Sequence, residues 1–154
     1  MLKVLVSGGF DPLHIGHVQL FIAAKKLGDY LIVLINNDNW LMAKKGFVFM
    51  DENERKAIIE ALRDVDEARL TGHPESPEDM SVAKELEEIR PDVFANGGDR
   101  NEADAANPES SLFKDIKTCE RVGIKMVYNV GGGKAQSSSE LVHRALGIKS
   151  KTLK

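Results

Sequence analysis

Short runs of apolar residues alternate with segments of helical periodicity along most of the chain. Each run is a few residues long and rich in branched side chains, which is typical of a buried strand. The runs predict five strands, at residues 2–6, 30–35, 65–70, 92–95 and 124–130. Apolar positions at helical spacing predict helices at residues 16–27, 51–63, 78–89, 111–122 and 137–146. This alternation predicts an α/β fold, a doubly wound parallel sheet that binds its ligands at the carboxyl ends of the strands.

Two connections between these elements are longer than the rest. Residues 36–50 and 96–109 are polar and carry glycine, and we expect both to be loops. No repeat or change in composition divides the chain, so we predict one domain over residues 1–148, followed by a basic tail at 149–154. We expect the sheet to be Rossmann-like, with the strand order 3-2-1-4-5.

The amino-acid composition and the net charge reduce the number of function classes that fit this chain. The 154 residues are 42% hydrophobic and 29% charged, which is typical of a globular protein. A net charge of −3 disfavours binding to nucleic acid, and no apolar run is long enough to insert into a membrane. Cys119 is the only cysteine, so an intrachain disulfide is excluded. We therefore expect a cytoplasmic protein with a small-molecule ligand.

The segment from Ser7 to His17 carries the most chemistry. Two glycines, Gly8 and Gly9, follow the first predicted strand, and the next predicted helix begins near Gly16. Glycine lets the backbone turn and approach a ligand closely, and a helix N-terminus attracts phosphate. His14 lies three residues before His17, so their imidazoles share one face of the first helical turn. The segment therefore predicts a phosphate site in which both imidazoles donate hydrogen bonds.

Two other interpretations of the histidine pair are weaker. His14 and His17 could be surface or helix-capping residues without a ligand. A zinc site is disfavoured because no third histidine or cysteine ligand accompanies the pair.

The segment from Gly8 to His17 resembles the His-x-Gly-His signature of the nucleotidyltransferases related to class I aminoacyl-tRNA synthetases. The resemblance continues along the chain. Residues 44–55 are similar to a segment of choline- and ethanolamine-phosphate cytidylyltransferases, and residues 63–67 are similar to the Arg-Tyr-Val-Asp-Glu of that family. Residues 97–99 are similar to the Gly-Gly-Asp of heptose-phosphate adenylyltransferases, and residues 137–140 stand where the family has a Ser-Thr-Thr helix start.

This resemblance implies a reaction in which a substrate phosphate attacks the α-phosphorus of a nucleoside triphosphate and releases pyrophosphate. It implies a small phosphorylated alcohol, amino-alcohol or sugar as acceptor, Mg²⁺ carried by the triphosphate, no metal-binding side chains, and a homodimer. The catalytic residues implied are His14, His17 and Lys44, with Lys45 as a substitute. The nucleotide-binding residues implied are Ser7, Gly8, Gly9, Phe10, Gly16, Arg63, Gly97, Asp99, Ser137, Ser138 and Ser139. The acceptor-binding residues expected are Asp11, Asp38, Trp40 and Arg55.

Several of these residues also have purely structural interpretations. Lys44 and Lys45 could belong to a solvated loop, and Arg55 could serve its own helix. Ser137 and Glu140 form a capping box by sequence, a role that is compatible with phosphate binding at the same helix start.

The chain also departs from the pattern of these families. Gly9 stands where many members have threonine, and Lys134 stands near the place of an arginine whose bidentate fork it lacks. The motifs disagree on the nucleotide, since Arg63 and residues 45–55 favour CTP whereas residues 97–99 favour ATP. CTP is favoured narrowly. A non-catalytic nucleotide-binding domain is the competing hypothesis, and a flavodoxin-like redox or receiver domain does not explain the paired histidines.

Overall fold

A computed structural model describes residues 1–98, 106–132 and 136–147. Within these ranges, five strands form one parallel sheet in the order β3-β2-β1-β4-β5. The strands are β1 (Lys3–Gly8), β2 (Tyr30–Ile35), β3 (Glu67–Leu70), β4 (Val93–Ala95) and β5 (Lys125–Val127). The predicted fold class and strand order are confirmed. The predicted basic tail at 149–154 lies outside the described residues.

Six helices are described, and one of them was not predicted. The helices are α1 (Ile15–Lys25), α2 (Asp38–Lys45), α3 (Glu52–Glu60), α4 (Ala83–Ile89), α5 (Ser111–Val122) and α6 (Ser138–Ala145). None of the described helices is long and apolar enough to cross a membrane.

The loop predicted at 36–50 is wrong over most of its length, because α2 occupies it. Asn37 caps the start of α2 by accepting the Trp40 N–H at 3.0 Å, and Gly46 ends the helix at φ 81°. Leu41 is the only buried residue of this helix. A helix with one buried residue has no apolar stripe, so periodicity could not reveal it.

The sheet is covered on both faces, as the continuous apolar runs predict. Val4, Val6 and Val33 pack on the face that carries α1, whereas Leu5 and Ile32 belong to a second cluster on the opposite face. Cys119 is buried in that second cluster, and burial raises the pKa of its thiol to about 12. With both faces covered, the open space lies at the carboxyl edge of the sheet, between β1 and β4.

A buried carboxylate on α5 fixes the start of α4. Helix α4 begins at Ala83 rather than at the predicted residue 78, and Val82 at its N-terminus has no side-chain cap of its own. Oδ1 of Asp115 accepts the backbone N–H of Val82 at 3.0 Å, and Asp115 is 1% exposed. The neighbouring helix therefore supplies the cap.

Replacing Asp115 with alanine should lower the free energy of unfolding by about 1–3 kcal/mol, because the Val82 N–H would be buried without an acceptor. Asp115→Asn keeps an oxygen at the same place and should lose less. Urea unfolding checks both values, with Glu120→Ala on the exposed side of α5 as the control, expected within about 0.5 kcal/mol of wild type. Equal losses for Asp115→Ala and Glu120→Ala would contradict the capping role.

Candidate active site

A cavity of about 540 Å³ opens at the carboxyl ends of β1, β2 and β4. Its volume is in the range usual for sites that bind small molecules. The structure brings most of the predicted site residues to its wall. These are Ser7, Gly8, Gly9, Phe10, His14, Gly16, His17, Trp40, Lys44, Gly97, Ser138 and Ser139, with Lys45 beside them.

The two histidines meet at the start of α1. The Nδ1 atom of His14 accepts the Gly16 N–H at 3.0 Å, and that of His17 accepts the His14 N–H at 3.3 Å. The rings stack, with centroids 3.7 Å apart. Because each Nδ1 accepts a hydrogen bond, the neutral ring carries its proton on Nε2. The capping interpretation is therefore confirmed, and the second nitrogen of each neutral ring, Nε2, is a donor.

Two glycines of the signature segment leave space for neighbouring aromatic rings. A Cβ on Gly16 would lie 2.9 Å from Cε1 of His14, and a Cβ on Gly8 would lie 2.8 Å from Cζ of Phe10. Phe10 has a φ of 52°, and its ring meets that of His17 edge-on with centroids 4.9 Å apart. The spacing of the signature thus has a steric cause, since a side chain at either glycine would displace an aromatic ring.

The side chain of Arg55 hydrogen-bonds to three chain segments beside the cavity. The guanidinium is 0% exposed. It donates to the carbonyl oxygens of Met50, Gly9 and Asn36 and to Oδ1 of Asp38, at 2.6–2.9 Å. The predicted acceptor contact of Arg55 stays a prediction, and the four protein acceptors of its buried guanidinium favour the structural alternative.

Asp11 also supports the wall rather than a ligand. It is 0% exposed, and its carboxylate accepts the backbone N–H groups of Phe49 and Met50, each at 2.6 Å. This fixes the segment after α2 against the signature turn. The predicted acceptor contact of Asp11 stays a prediction, and these contacts favour a structural role. Asp38 does not line the cavity either, since its carboxylate pairs with Arg55.

One wall of the cavity is formed by helix α2. Trp40 is held by its indole N–H, which donates to the Met80 carbonyl at 2.9 Å. Lys44 and Lys45 occupy the last turn of α2, and Nζ of Lys45 lies 3.4 Å from the Asp11 carbonyl oxygen. This wall, comprising Asn36, Trp40, Lys44 and Lys45, is called the lysine wall below.

The opposite wall is formed by glycine-rich turns and the start of α6. Gly97 and Gly98 follow β4, and a Cβ on Gly98 would lie 2.8 Å from the Gly132 carbonyl oxygen. Ser138 and Ser139 begin α6, and Oγ of Ser138 donates to the Pro12 carbonyl at 2.8 Å. This wall, comprising residues 96–98, 130–132 and 138–139, is called the glycine wall below.

Two predicted nucleotide-binding residues do not line this cavity. Ser137 is 9% exposed and its hydroxyl caps α6 by accepting the Glu140 N–H, so the predicted capping is confirmed and direct contact is not. Arg63 borders a separate cavity between α1 and the residues that follow α3. Asp99 lies outside the described residues, as does Lys134.

Sequence reasoning missed several lining residues, among them Asn36, Asn96, Ser110, Ser111 and Gln136. Asn36 and Asn96 each directly follow a strand. The rule that parallel strands end at one edge would have identified both. Ser110 and Ser111 gave no signal, because only the packing of α5 brings them to the edge.

The site is built for anions. Two lysines and the N-termini of α1 and α6 face one cavity, and both features attract phosphate. Among the described residues, no three His, Cys, Asp or Glu side chains cluster closely enough to hold a metal ion. The described groups that line the cavity offer hydrogen-bond donors and positive charge.

Comparison with known proteins agrees with this geometry. The family model described as cytidylyltransferase-like matches residues 5–126. The chain belongs to the cytidylyltransferase-like family. It is a nucleotidyltransferase, and the non-catalytic alternative is set aside because its relatives are enzymes of that class.

The relatives differ in how much of the chain they match. An FAD synthase of Ferroglobus placidus is 34% identical over 154 residues, covering 100% of this chain and 94% of its own length. A glycerol-3-phosphate cytidylyltransferase of Bacillus subtilis is 45% identical over 67 residues, covering 44% of this chain and 52% of its own length. The crystal structure of a lipopolysaccharide core biosynthesis protein from Thermoplasma volcanium has a TM-score of 0.63 and 30% identity, covering 88% of this chain and 99% of its own.

Gly16→Ala should reduce turnover while leaving the fold intact. The added Cβ would push the His14 ring out of place, and we expect turnover to fall on the order of 10²-fold, as for loss of a preorganised donor. Alanine also favours the helix by roughly 0.5–1 kcal/mol, so thermal unfolding should show little or no loss of stability. Gln19→Ala, exposed on the same helix, is the control, and unchanged turnover of Gly16→Ala would contradict the steric role.

Arg55→Lys should destabilise the protein, because an ammonium cannot reach four acceptors that a guanidinium fork satisfies. Breaking a buried charged pair costs about 3–5 kcal/mol, and the denaturation midpoint reports the loss. Lys56→Arg, at a half-buried position of α3, is the matched control. A stability within error of wild type would show that Arg55 does not hold the wall together.

Proposed function

We propose that this enzyme transfers a nucleoside monophosphate from a nucleoside triphosphate to the phosphate of a polyol or sugar phosphate, with release of pyrophosphate. The observation that supports this most strongly is the stacked pair of imidazoles at the start of α1, which line the cavity between the lysine wall and the glycine wall. Donors preorganised at that point suit a reaction in which negative charge shifts onto phosphate oxygens.

The two walls suggest which substrate binds where. The glycine wall offers backbone N–H groups and a helix N-terminus to the triphosphate, whereas the lysine wall offers Lys44 and Lys45 to the acceptor phosphate. One oxygen of the acceptor phosphate attacks the α-phosphorus, and the bond from that phosphorus to the β-phosphate oxygen breaks. His14 and His17 hold the α-phosphate oxygens through Nε2, and the lysines offset the repulsion between the two anions.

ATP is the nucleotide we propose. The FAD synthase relative aligns along the whole chain, including the glycine wall, whereas the cytidylyltransferase relative aligns over 44% of it. FAD consists of FMN joined to AMP, so an FAD synthase uses an adenine nucleotide. CTP is the second candidate, supported by the higher identity, 45%, of the shorter match.

A polyol or sugar phosphate is the acceptor class that the relatives have in common. FMN carries its phosphate on a ribityl chain, and glycerol 3-phosphate is a shorter polyol phosphate.

Mg²⁺ bound by the triphosphate would neutralise charge on the departing pyrophosphate. The homodimer and the cytoplasmic location expected from the sequence stay predictions, and gel filtration against calibrated standards tests the first.

A pyrophosphate-release assay tests the proposal. ATP and CTP are each offered with FMN, glycerol 3-phosphate, glucose 1-phosphate and phosphocholine. We expect pyrophosphate with ATP and at least one of the three hydroxyl-bearing acceptors. A higher kcat/KM with CTP would establish the second candidate instead, and no pyrophosphate in any combination would contradict the proposed function.

His17→Ala and Lys44→Ala should each lower kcat on the order of 10²-fold or more in the combination that works, since each removes a charge-stabilising donor. Lys56→Ala, on the outer side of α3, is the control for loss of a lysine and should keep wild-type turnover. Wild-type turnover in both site variants would refute the assigned roles.

A further inference from the structure

Asn36 is the first residue after β2, and it lines the cavity on the lysine wall. Its backbone is fully engaged. The N–H donates to the Gly8 carbonyl at 2.9 Å, and the carbonyl accepts from Nη1 of Arg55 at 2.6 Å. Only the carboxamide is left to meet a ligand, and these two bonds fix it beside the signature turn.

The carboxamide oxygen of Asn36 has no hydrogen-bond partner among the described residues, although Asn36 is only 4% exposed. Nearby asparagines are used differently. Oδ1 of Asn37 accepts the Trp40 N–H, and the amides of Asn37 and Asn39 donate to the His73 carbonyl. A buried acceptor without a donor is unfavourable and rare in folded proteins. Asn36 therefore differs from its neighbours in carrying a buried, unused acceptor on a residue that lines the cavity.

The position of Asn36 points to the acceptor substrate rather than the nucleotide. β2 lies on one side of β1 and β4 on the other, so the lysine wall and the glycine wall flank the histidines from opposite sides. Trp40 lies close to the signature turn on the same side, since a Cβ on Gly9 would be 3.5 Å from its ring. A ligand group that reaches Oδ1 of Asn36 is then part of the molecule whose phosphate meets Lys44 and Lys45.

We propose that Oδ1 of Asn36 accepts a hydrogen bond from a hydroxyl group of the acceptor and so selects polyol and sugar phosphates over phosphomonoesters without a donor. The inference rests on the proposed function. A carboxamide oxygen can only accept, which excludes ether, carbonyl and quaternary ammonium groups at this point. Phosphocholine has no donor besides its phosphate, and it is a poor acceptor on this account.

The penalty for leaving Oδ1 unpaired determines how far kcat/KM differs between acceptors with and without a hydroxyl group. A site built to bind a substrate hydroxyl rejects the analogue that lacks it, and we expect a difference of at least about 10-fold in kcat/KM. The effect falls on the acceptor, so the KM for ATP at saturating acceptor should not change.

The test compares two acceptors of equal chain length, glycerol 3-phosphate and propyl phosphate, which keeps the phosphate and loses both hydroxyls. FMN is included as a larger polyol phosphate. Pyrophosphate release is measured with wild type, with Asn36→Leu, which keeps the shape and removes the oxygen, and with Asn36→Asp, which keeps an acceptor oxygen. Asn53→Leu, exposed on α3, is the control. If Asn36→Leu does not fold, Asn36→Ala replaces it.

Wild type and Asn53→Leu should prefer the hydroxyl-bearing acceptors by about 10-fold or more, Asn36→Asp should keep the preference at a lower rate, and Asn36→Leu should lose it. An unchanged preference in Asn36→Leu would overturn the inference, as would a raised KM for ATP with an unchanged acceptor KM, which would assign Asn36 to the nucleotide. Equal use of propyl phosphate by wild type would also overturn it while leaving the proposed function standing. Failure of every acceptor would overturn the proposed function and this inference with it.

Discussion

The cavity depends on one buried arginine. Arg55 donates to acceptors from the signature turn, the end of β2, the start of α2 and the segment before α3, and no part of its guanidinium is exposed. A buried charge is tolerated only where hydrogen bonds and an opposite charge compensate its lost hydration, and here three carbonyl oxygens and the Asp38 carboxylate do so. The segments can therefore take few other arrangements without leaving this charge or their own carbonyls unpaired.

That constraint carries through to the chemistry. With Gly9 and Asn36 held by one side chain, the signature turn keeps a fixed position relative to the lysine wall. Phe10 then packs edge-on against the ring of His17, and the two stacked imidazoles line the cavity between the walls. Catalysis of nucleotidyl transfer requires positioning and charge compensation more than covalent chemistry, and a rigid wall of this kind provides both.

The sheet was predicted well from the sequence, whereas the lysine wall and the residues that support it were predicted less well. Most of the strands are continuous apolar runs, so they could be predicted from the sequence, and their order was expected from the doubly wound fold. Helix α2 could not be predicted, because it buries one residue and is defined by its caps. The charged residues Asp11, Arg55 and Asp38 were expected at the acceptor from the resemblance to the family. Whether a charge faces the ligand or the protein depends on tertiary contacts, here those of Arg55, which a one-dimensional pattern does not contain.

The most direct test of the central claim is the fate of an isotope label. The enzyme is incubated with ATP or CTP and with glycerol 3-phosphate or FMN that carries ¹⁸O in its non-bridging phosphate oxygens. The masses of the products are then measured by mass spectrometry. Attack of the acceptor phosphate on the α-phosphorus predicts a nucleotide-linked product that contains every label and a pyrophosphate that contains none. Label in the pyrophosphate, or a product carrying only a transferred γ-phosphate, would contradict the account.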